Sequence, residues 1–173
     1  MPGWLLLVPF LMVRFGLLAV LNRDAIRTAA HFAPMHGKER LAYWLYQLSN
    51  LGVLVCPFFL RVRFEPWGWF YAGLATYVAG IVLLSISIVN FAAPADNGFR
   101  TKGLYRFSRN PMYVAYFITF IGCALLTQSP VLLGVVLVFQ AAAHWVIRSE
   151  ERWCIEQFGE AYRQYMRRVR RYI

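Results

Sequence analysis

Five apolar runs divide this chain: Trp4 to Leu21, Leu41 to Leu60, Trp67 to Phe91, Pro111 to Leu126 and Val131 to Ile147. Each approaches the ~20 residues a helix needs to cross the hydrocarbon core of a bilayer. Inside that core a segment must satisfy its own backbone polar groups, which leaves helices as the form for runs of this length. The expected fold is therefore all-α and integral to the membrane, with about five transmembrane helices and a C-terminal amphipathic helical tail. Composition agrees, since 60% of residues are hydrophobic and 15% charged, against roughly a quarter charged in soluble domains. No shift in composition splits the chain, so residues 1–173 are expected to form a single domain.

The formal net charge is +10. A nucleic-acid binder can carry such a charge, but not together with five apolar runs; no nucleic-acid partner is expected. Five helices would put three segments on one side: residues 22–40, residues 92–110 and the tail after Ile147. They hold four, four and seven Lys/Arg, fifteen in all, while the other side holds only Arg61 and Arg63. Basic residues are retained on the cytoplasmic side. The expected topology is a multi-pass membrane protein with its N-terminus outside and its tail cytoplasmic. Met1 to Trp4 lacks the basic start of a signal peptide and Arg14 interrupts the run, so the first segment reads as a retained helix. Cys56, Cys123 and Cys154 form no metal-like pair, and neither a disulfide nor a metal is expected.

Several positions carry local expectations. Arg14 lies seven residues before Leu21, ~10 Å at helical rise, so it either snorkels to the interface or pairs inside the bundle. Ala25 to Phe32 reads as a short interfacial helix; His31 and His36, five apart, do not share a helical face. Pro57 should kink or shorten the second helix. Trp67, Trp69, Phe70 and Tyr71 read as an interfacial aromatic belt. Ala72, Thr76 and Gly80 form a small-residue ladder for close helix packing. Thr127 to Pro130 reads as a tight turn closing a hairpin, and Gly159 as a break in the last helix. Beyond it, Phe158, Ala161, Tyr162, Tyr165 and Val169 share one face.

Two features point to chemistry. The first is the basic, aromatic stretch Gly103 to Tyr113, in which Asn110-Pro111 reads as an N-cap followed by proline at the first helical position. The second is a stripe on the fifth helix: Gln140, His144, Arg148 and Glu151, spaced by four, four and three. Glu150 is rotated ~100° from Glu151, which favours Glu151 as the inward acid. The stripe reads either as a polar site running in from the membrane face or as a solvated helix end with an Arg148–Glu151 ion pair. On the fourth helix Tyr113, Tyr116, Phe117 and Phe120 share a face, as bundle packing or as the wall of a ligand site. No phosphate-cradling loop or Ser/His/Asp set appears, so an enzyme here should be one whose cofactor carries the reactive group.

Gly103-x-Tyr105-Arg106, Arg109-Asn110-Pro111-x-Tyr113, Glu150-Glu151, Phe158-Gly159-x-x-Tyr162-x-x-Tyr165 and Arg167-Arg168-Val169, in that order, resemble the isoprenylcysteine carboxyl methyltransferase and phospholipid methyltransferase superfamily. The resemblance covers residues 101–173. It implies a membrane enzyme using S-adenosyl-L-methionine, with a cofactor pocket at the cytoplasmic face. Carried across, the cofactor-binding residues are Arg109, Asn110, Pro111, Tyr113, Glu150, Glu151, Tyr162 and Tyr165, and His144 joins them from the stripe. Arg148 stands where the carboxyl methyltransferases have an arginine before the acids; with Glu151 it forms the expected catalytic pair. The family usually has His at the position of Asn110, and Asn can hydrogen-bond there but cannot titrate near neutrality. The implied reaction is methyl transfer to a lipophilic acceptor drawn from among the membrane lipids, such as the carboxylate of an apolar or lipidated molecule. N-methylation of an amino lipid, a non-catalytic relative and a reductase-type relative are the alternatives.

Overall fold

The computed structural model describes residues 1–21, 39–95 and 98–172. These residues form five helices: α1 (Gly3–Leu21), α2 (Glu39–Val55), α3 (Trp67–Ala92), α4 (Pro111–Thr127) and α5 (Pro130–Arg168). Single turns of 3-10 helix at Cys56–Phe59 and Gly103–Arg106 precede α3 and α4. Among the described residues there is no strand, only isolated bridges pairing Pro2 with Arg61 and Ser108 with Arg170. The histidines His31 and His36 and the expected helix at Ala25 to Phe32 lie outside the described residues.

α1, α3 and α5 are long and apolar enough to cross a membrane, and α4 is a shorter apolar helix of 17 residues. Large apolar side chains point outward in numbers that water would not tolerate. Trp44, Leu48 and Val131 are 68%, 67% and 68% exposed, as expected where lipid is the solvent. From Pro130 to the residue before its break at Gly159, α5 is ~44 Å long at helical rise, well beyond the ~30 Å hydrocarbon core. One end of it must project, and that end carries the acids.

α3 packs along α4, and α2 along α5. The α3–α4 contact is as close as backbone permits. A Cβ on Gly80 would lie 2.5 Å from the Thr119 nitrogen, and one on Gly122 would lie 2.5 Å from the Tyr77 nitrogen. The buried row of α3 is Gly73, Tyr77, Gly80, Leu84 and Ile88. This corrects the expected ladder, because Ala72 faces outward and Thr76 turns its hydroxyl back to the Ala72 carbonyl, 2.7 Å away. The proline and turn expectations hold. α2 ends at Val55 and Pro57 sits in the following 3-10 turn. Between α4 and α5, Gln128 adopts the left-handed conformation and the Ser129 side chain accepts from the Leu132 N–H.

α1 is irregular in its middle. Met12–Leu17 is a π-helical turn, a widening often seen where a helix presents a functional residue. It carries Arg14, whose guanidinium carbon lies 5.7 Å from the centre of the Tyr116 ring. Arg14 therefore faces into the bundle instead of snorkelling along it. α5 breaks at Gly159 (φ 58°, ψ −130°), a conformation costly for residues with a Cβ. Beyond the break Tyr162, Tyr165 and Val169 pack with Phe99 into a small second core, whereas Ala161 is exposed.

Candidate functional site

The start of α4, the projecting part of α5 and the last residues of the chain converge on Glu151. This carboxylate is 4% exposed. Arg109 reaches its Oε1 through Nε at 2.9 Å and Nη2 at 2.8 Å, and Arg171 reaches its Oε2 through Nη2 at 2.7 Å. Burying an ion is costly unless it is paired and hydrogen-bonded, and here both carboxylate oxygens are filled. The carboxylate also holds the Arg171 guanidinium charged, raising its pKa above the ordinary arginine value. Arg109 is equally committed, since its Nη1 donates to the carbonyls of Met166 and Val169 at 3.0 and 2.7 Å. Asn110 occupies the N-cap position but does not cap; its amide donates instead to the Arg171 carbonyl at 3.2 Å. Residues 169–171 thus form a strap tied to the chain ahead of α4, and the Arg109 N–H adds a bond to the Arg170 carbonyl at 2.9 Å.

Glu150 sits one residue away in a different setting. It is partly buried, and the Tyr113 hydroxyl donates to its Oε1 at 3.0 Å. Among the described residues no arginine, lysine or histidine forms an ion pair with it. Tyr113 stands in an aromatic row: its ring centre lies 6.4 Å from Tyr46 of α2 and 6.2 Å from Tyr116, one turn further into α4. Phe120 and Phe139 continue the row inward. The Tyr116 hydroxyl is buried and makes no hydrogen bond of direct length, and the same is true of Gln140 Oε1. The arrangement sets an acid against an aromatic, water-poor wall, where charges act strongly on one another.

A family model described as phospholipid methyltransferase matches residues 69–161, more than half of the chain. The match takes in Arg109 through Tyr113 and both acids. The chain belongs to the phospholipid methyltransferase family. It is also similar to methanethiol S-methyltransferase 1 of Bradyrhizobium diazoefficiens, at 35% identity over 71 residues, 41% of this chain and 24% of that protein. Against the methanethiol S-methyltransferase of Pseudomonas deceptionensis, identity is 27% over 129 residues, 73% of this chain and 41% of that protein. The chain thus spans less than half the length of these relatives. No solved structure matches it.

The remaining expected residues of this phospholipid methyltransferase family member fall into four places. His144 Nδ1 meets the Tyr172 hydroxyl at 2.8 Å, so it faces the strap. Tyr162 and Tyr165 belong to the second core, and the Tyr165 hydroxyl donates to the Tyr105 carbonyl at 2.7 Å, which fixes the turn before α4. Pro111 is buried at the first turn of α4. Arg148 is exposed and lies over the Trp145 ring at 5.1 Å. The Arg148–Glu151 ion pair of the solvated-end reading does not form, because Arg109 and Arg171 occupy both oxygens of Glu151. Three partners were not expected: Arg171 on Glu151, Tyr46 beside Tyr113, and the two-pronged pair of Arg152 with Glu39 at 2.8 and 2.7 Å that ties α5 to the start of α2. Each joins residues on different elements, and helical spacing reveals only neighbours on one helix.

Proposed function

We propose that this chain is an S-adenosyl-L-methionine-dependent membrane methyltransferase acting on a small apolar thiol at the cytoplasmic face. The observation that carries this reading is the contrast between the acids, with Glu151 saturated by two arginines and Glu150 holding, among the described residues, only the Tyr113 hydroxyl. The donor set suits this cofactor. Glu150 can balance its positive charge, the aromatic faces of Tyr113 and Tyr46 favour a cationic sulfur, and the α4 start, left uncapped by any side chain, offers N–H groups to a carboxylate. When bound, S-adenosyl-L-methionine supplies an electrophilic methyl group. Glu150 would match that charge before transfer and would receive the proton that the acceptor releases as it attacks. The strap and Glu151 hold Arg109 and the α4 start in place.

An acceptor that brings a proton fits Glu150 better than one that brings a negative charge. A carboxylate placed beside Glu150 would be repelled, and Arg148, the residue expected to recognise it, points outward over Trp145. Methanethiol S-methyltransferases among the relatives support the thiol. N-methylation of an amino lipid shares the proton-bearing acceptor and is favoured by the family's description; a lipophilic carboxylate ranks below both. The proposed topology has five spans, the N-terminus outside, and the α4 start, the projecting part of α5 and the strap in the cytoplasm. Residues 1–173 act as one domain, and membrane lipids surround it.

The test uses purified protein in detergent. S-adenosylhomocysteine should raise the thermal midpoint of the wild type, because a ligand of the native state stabilises it. Ethanethiol should yield its methyl thioether, with phosphatidylethanolamine and an apolar carboxylic acid run in parallel. Glu150→Gln should keep the wild-type midpoint while losing about a hundredfold or more in turnover, the usual scale for a lost acid/base group. No midpoint shift with saturating S-adenosylhomocysteine would overturn the cofactor; turnover only with the carboxylic acid would overturn the thiol.

A further inference from the structure

The mechanism above leaves one charged group and one hydroxyl of the interior unused: Arg14 and Tyr116. We propose that Arg14 and Tyr116 form the acceptor subsite, holding the sulfur of a thiol as its negative charge develops. This deepens the thiol reading and rests on it.

Three observations carry the proposal. Arg14 is carried inward by the π-helical turn Met12–Leu17, about mid-way along α1. An arginine facing the interior of a membrane bundle is costly and marks a functional site by default. Its guanidinium carbon lies 5.6 Å from the Phe15 ring centre and 5.7 Å from that of Tyr116. Second, the Tyr116 hydroxyl faces that guanidinium yet closes no hydrogen bond of direct length, although the residue is only 8% exposed. For packing alone phenylalanine would serve, as Phe10 and Phe120 do against the same ring. A buried hydroxyl that stops short of a direct hydrogen bond calls for an explanation. Third, Tyr116 stands one turn from Tyr113 on α4, and Tyr113 hydrogen-bonds Glu150. The row Glu150–Tyr113–Tyr116–Arg14 therefore runs from an acid to a cation along aromatic faces.

A thiol lying along that row presents its proton towards Glu150 and its sulfur towards Tyr116 and Arg14. As the proton passes to the carboxylate, the sulfur lone pair forms the new sulfur–carbon bond. The donor's own sulfur–methyl bond breaks, and its electron pair stays on the donor, leaving S-adenosylhomocysteine. Arg14 and the Tyr116 hydroxyl stabilise the charge on the attacking sulfur, as hydrogen bonds to charged groups do strongly. α1 lies outside the residues matched by the family model, so this subsite would set the acceptor within a shared donor scaffold.

The experiment compares wild type, Tyr116→Phe, Arg14→Lys and Arg14→Gln, reading the S-adenosylhomocysteine midpoint shift and the ethanethiol KM, kcat and pH profile. Tyr116→Phe should fold as wild type and keep the full midpoint shift, while KM for ethanethiol rises about tenfold or more, the scale of one hydrogen bond to a charged group. Arg14→Gln should move the kcat/KM profile to higher pH, and Arg14→Lys should recover part of that change. Wild-type KM and pH profile in Tyr116→Phe would overturn the proposal, as would a midpoint shift lost together with acceptor turnover. If wild type shows the midpoint shift but methylates no thiol, the thiol reading fails and this subsite with it. If wild type methylates thiols and the variants do so equally well, only the subsite fails.

Discussion

Arg109 and Arg171 bind the same carboxylate, but removing them should have very different consequences. Arg109 and Glu151 have side chains 7% and 5% exposed, so their pair is sealed from water, whereas Arg171 is 30% exposed. Breaking a buried pair by deleting one partner costs about 3–5 kcal/mol, because a charge remains without compensation. Arg109→Ala also frees the carbonyls of Met166 and Val169, which pushes the cost to the upper part of that range. Arg171→Ala leaves Glu151 with Arg109, and a pair one-third exposed contributes about 1 kcal/mol. The difference of about 3 kcal/mol is a factor of about a hundred in the folding equilibrium. For a chain of this size it is a gap of about 10 °C in midpoint. Thermal unfolding in detergent, followed by tryptophan fluorescence, reads it directly. Equal losses from the two substitutions would mean that burial does not decide the strength of the pair.

Two further outcomes follow from packing and burial. Gly80→Ala and Gly122→Ala should each destabilise by up to about 3 kcal/mol, because the new methyl meets backbone of the facing helix and neither side can yield; Gly134→Ala, which meets nothing within 4 Å, should change the midpoint little in the same assay. Burial raises the Tyr105 phenol above its ordinary pKa of 10.0, so the folded state keeps a proton that the unfolded chain releases. Its contribution to stability should be intact below pH 10 and lost progressively above it, and Tyr105→Phe should blunt that alkaline loss in midpoint-versus-pH curves.

The helices were legible where composition alone decides them. Trp67–Ala92 and the start at Pro111 follow from apolar runs bounded by proline, and Gly159 breaks α5 because only glycine adopts its conformation without cost. The π-helical turn at Arg14 was not legible, since propensity does not distinguish a widened turn from a regular one. Nor was the choice between Ala72 and Gly73, which depends on which face α4 approaches. In the site, resemblance picks out Arg109, Glu150 and Glu151 but not their division of labour. That division is set by Arg171, twenty residues beyond Glu151, and by Tyr46, on a helix that shares no motif with the site.

The same division bears on the departure from the family pattern at Asn110. Histidine there would be a candidate for proton transfer, and asparagine cannot take that part. In this structure, however, the Asn110 side chain points to the strap and donates to the Arg171 carbonyl. The bond needs only an N–H, which asparagine supplies at every pH. The position thus belongs with Arg109 and Glu151, the groups that hold the strap, and not with Glu150 and Tyr113. Adjacent acids on one helix point ~100° apart, so neighbouring residues can serve these two purposes without sharing a partner. A substitution that removes a titrating group from the first set leaves the carboxylate of the second untouched.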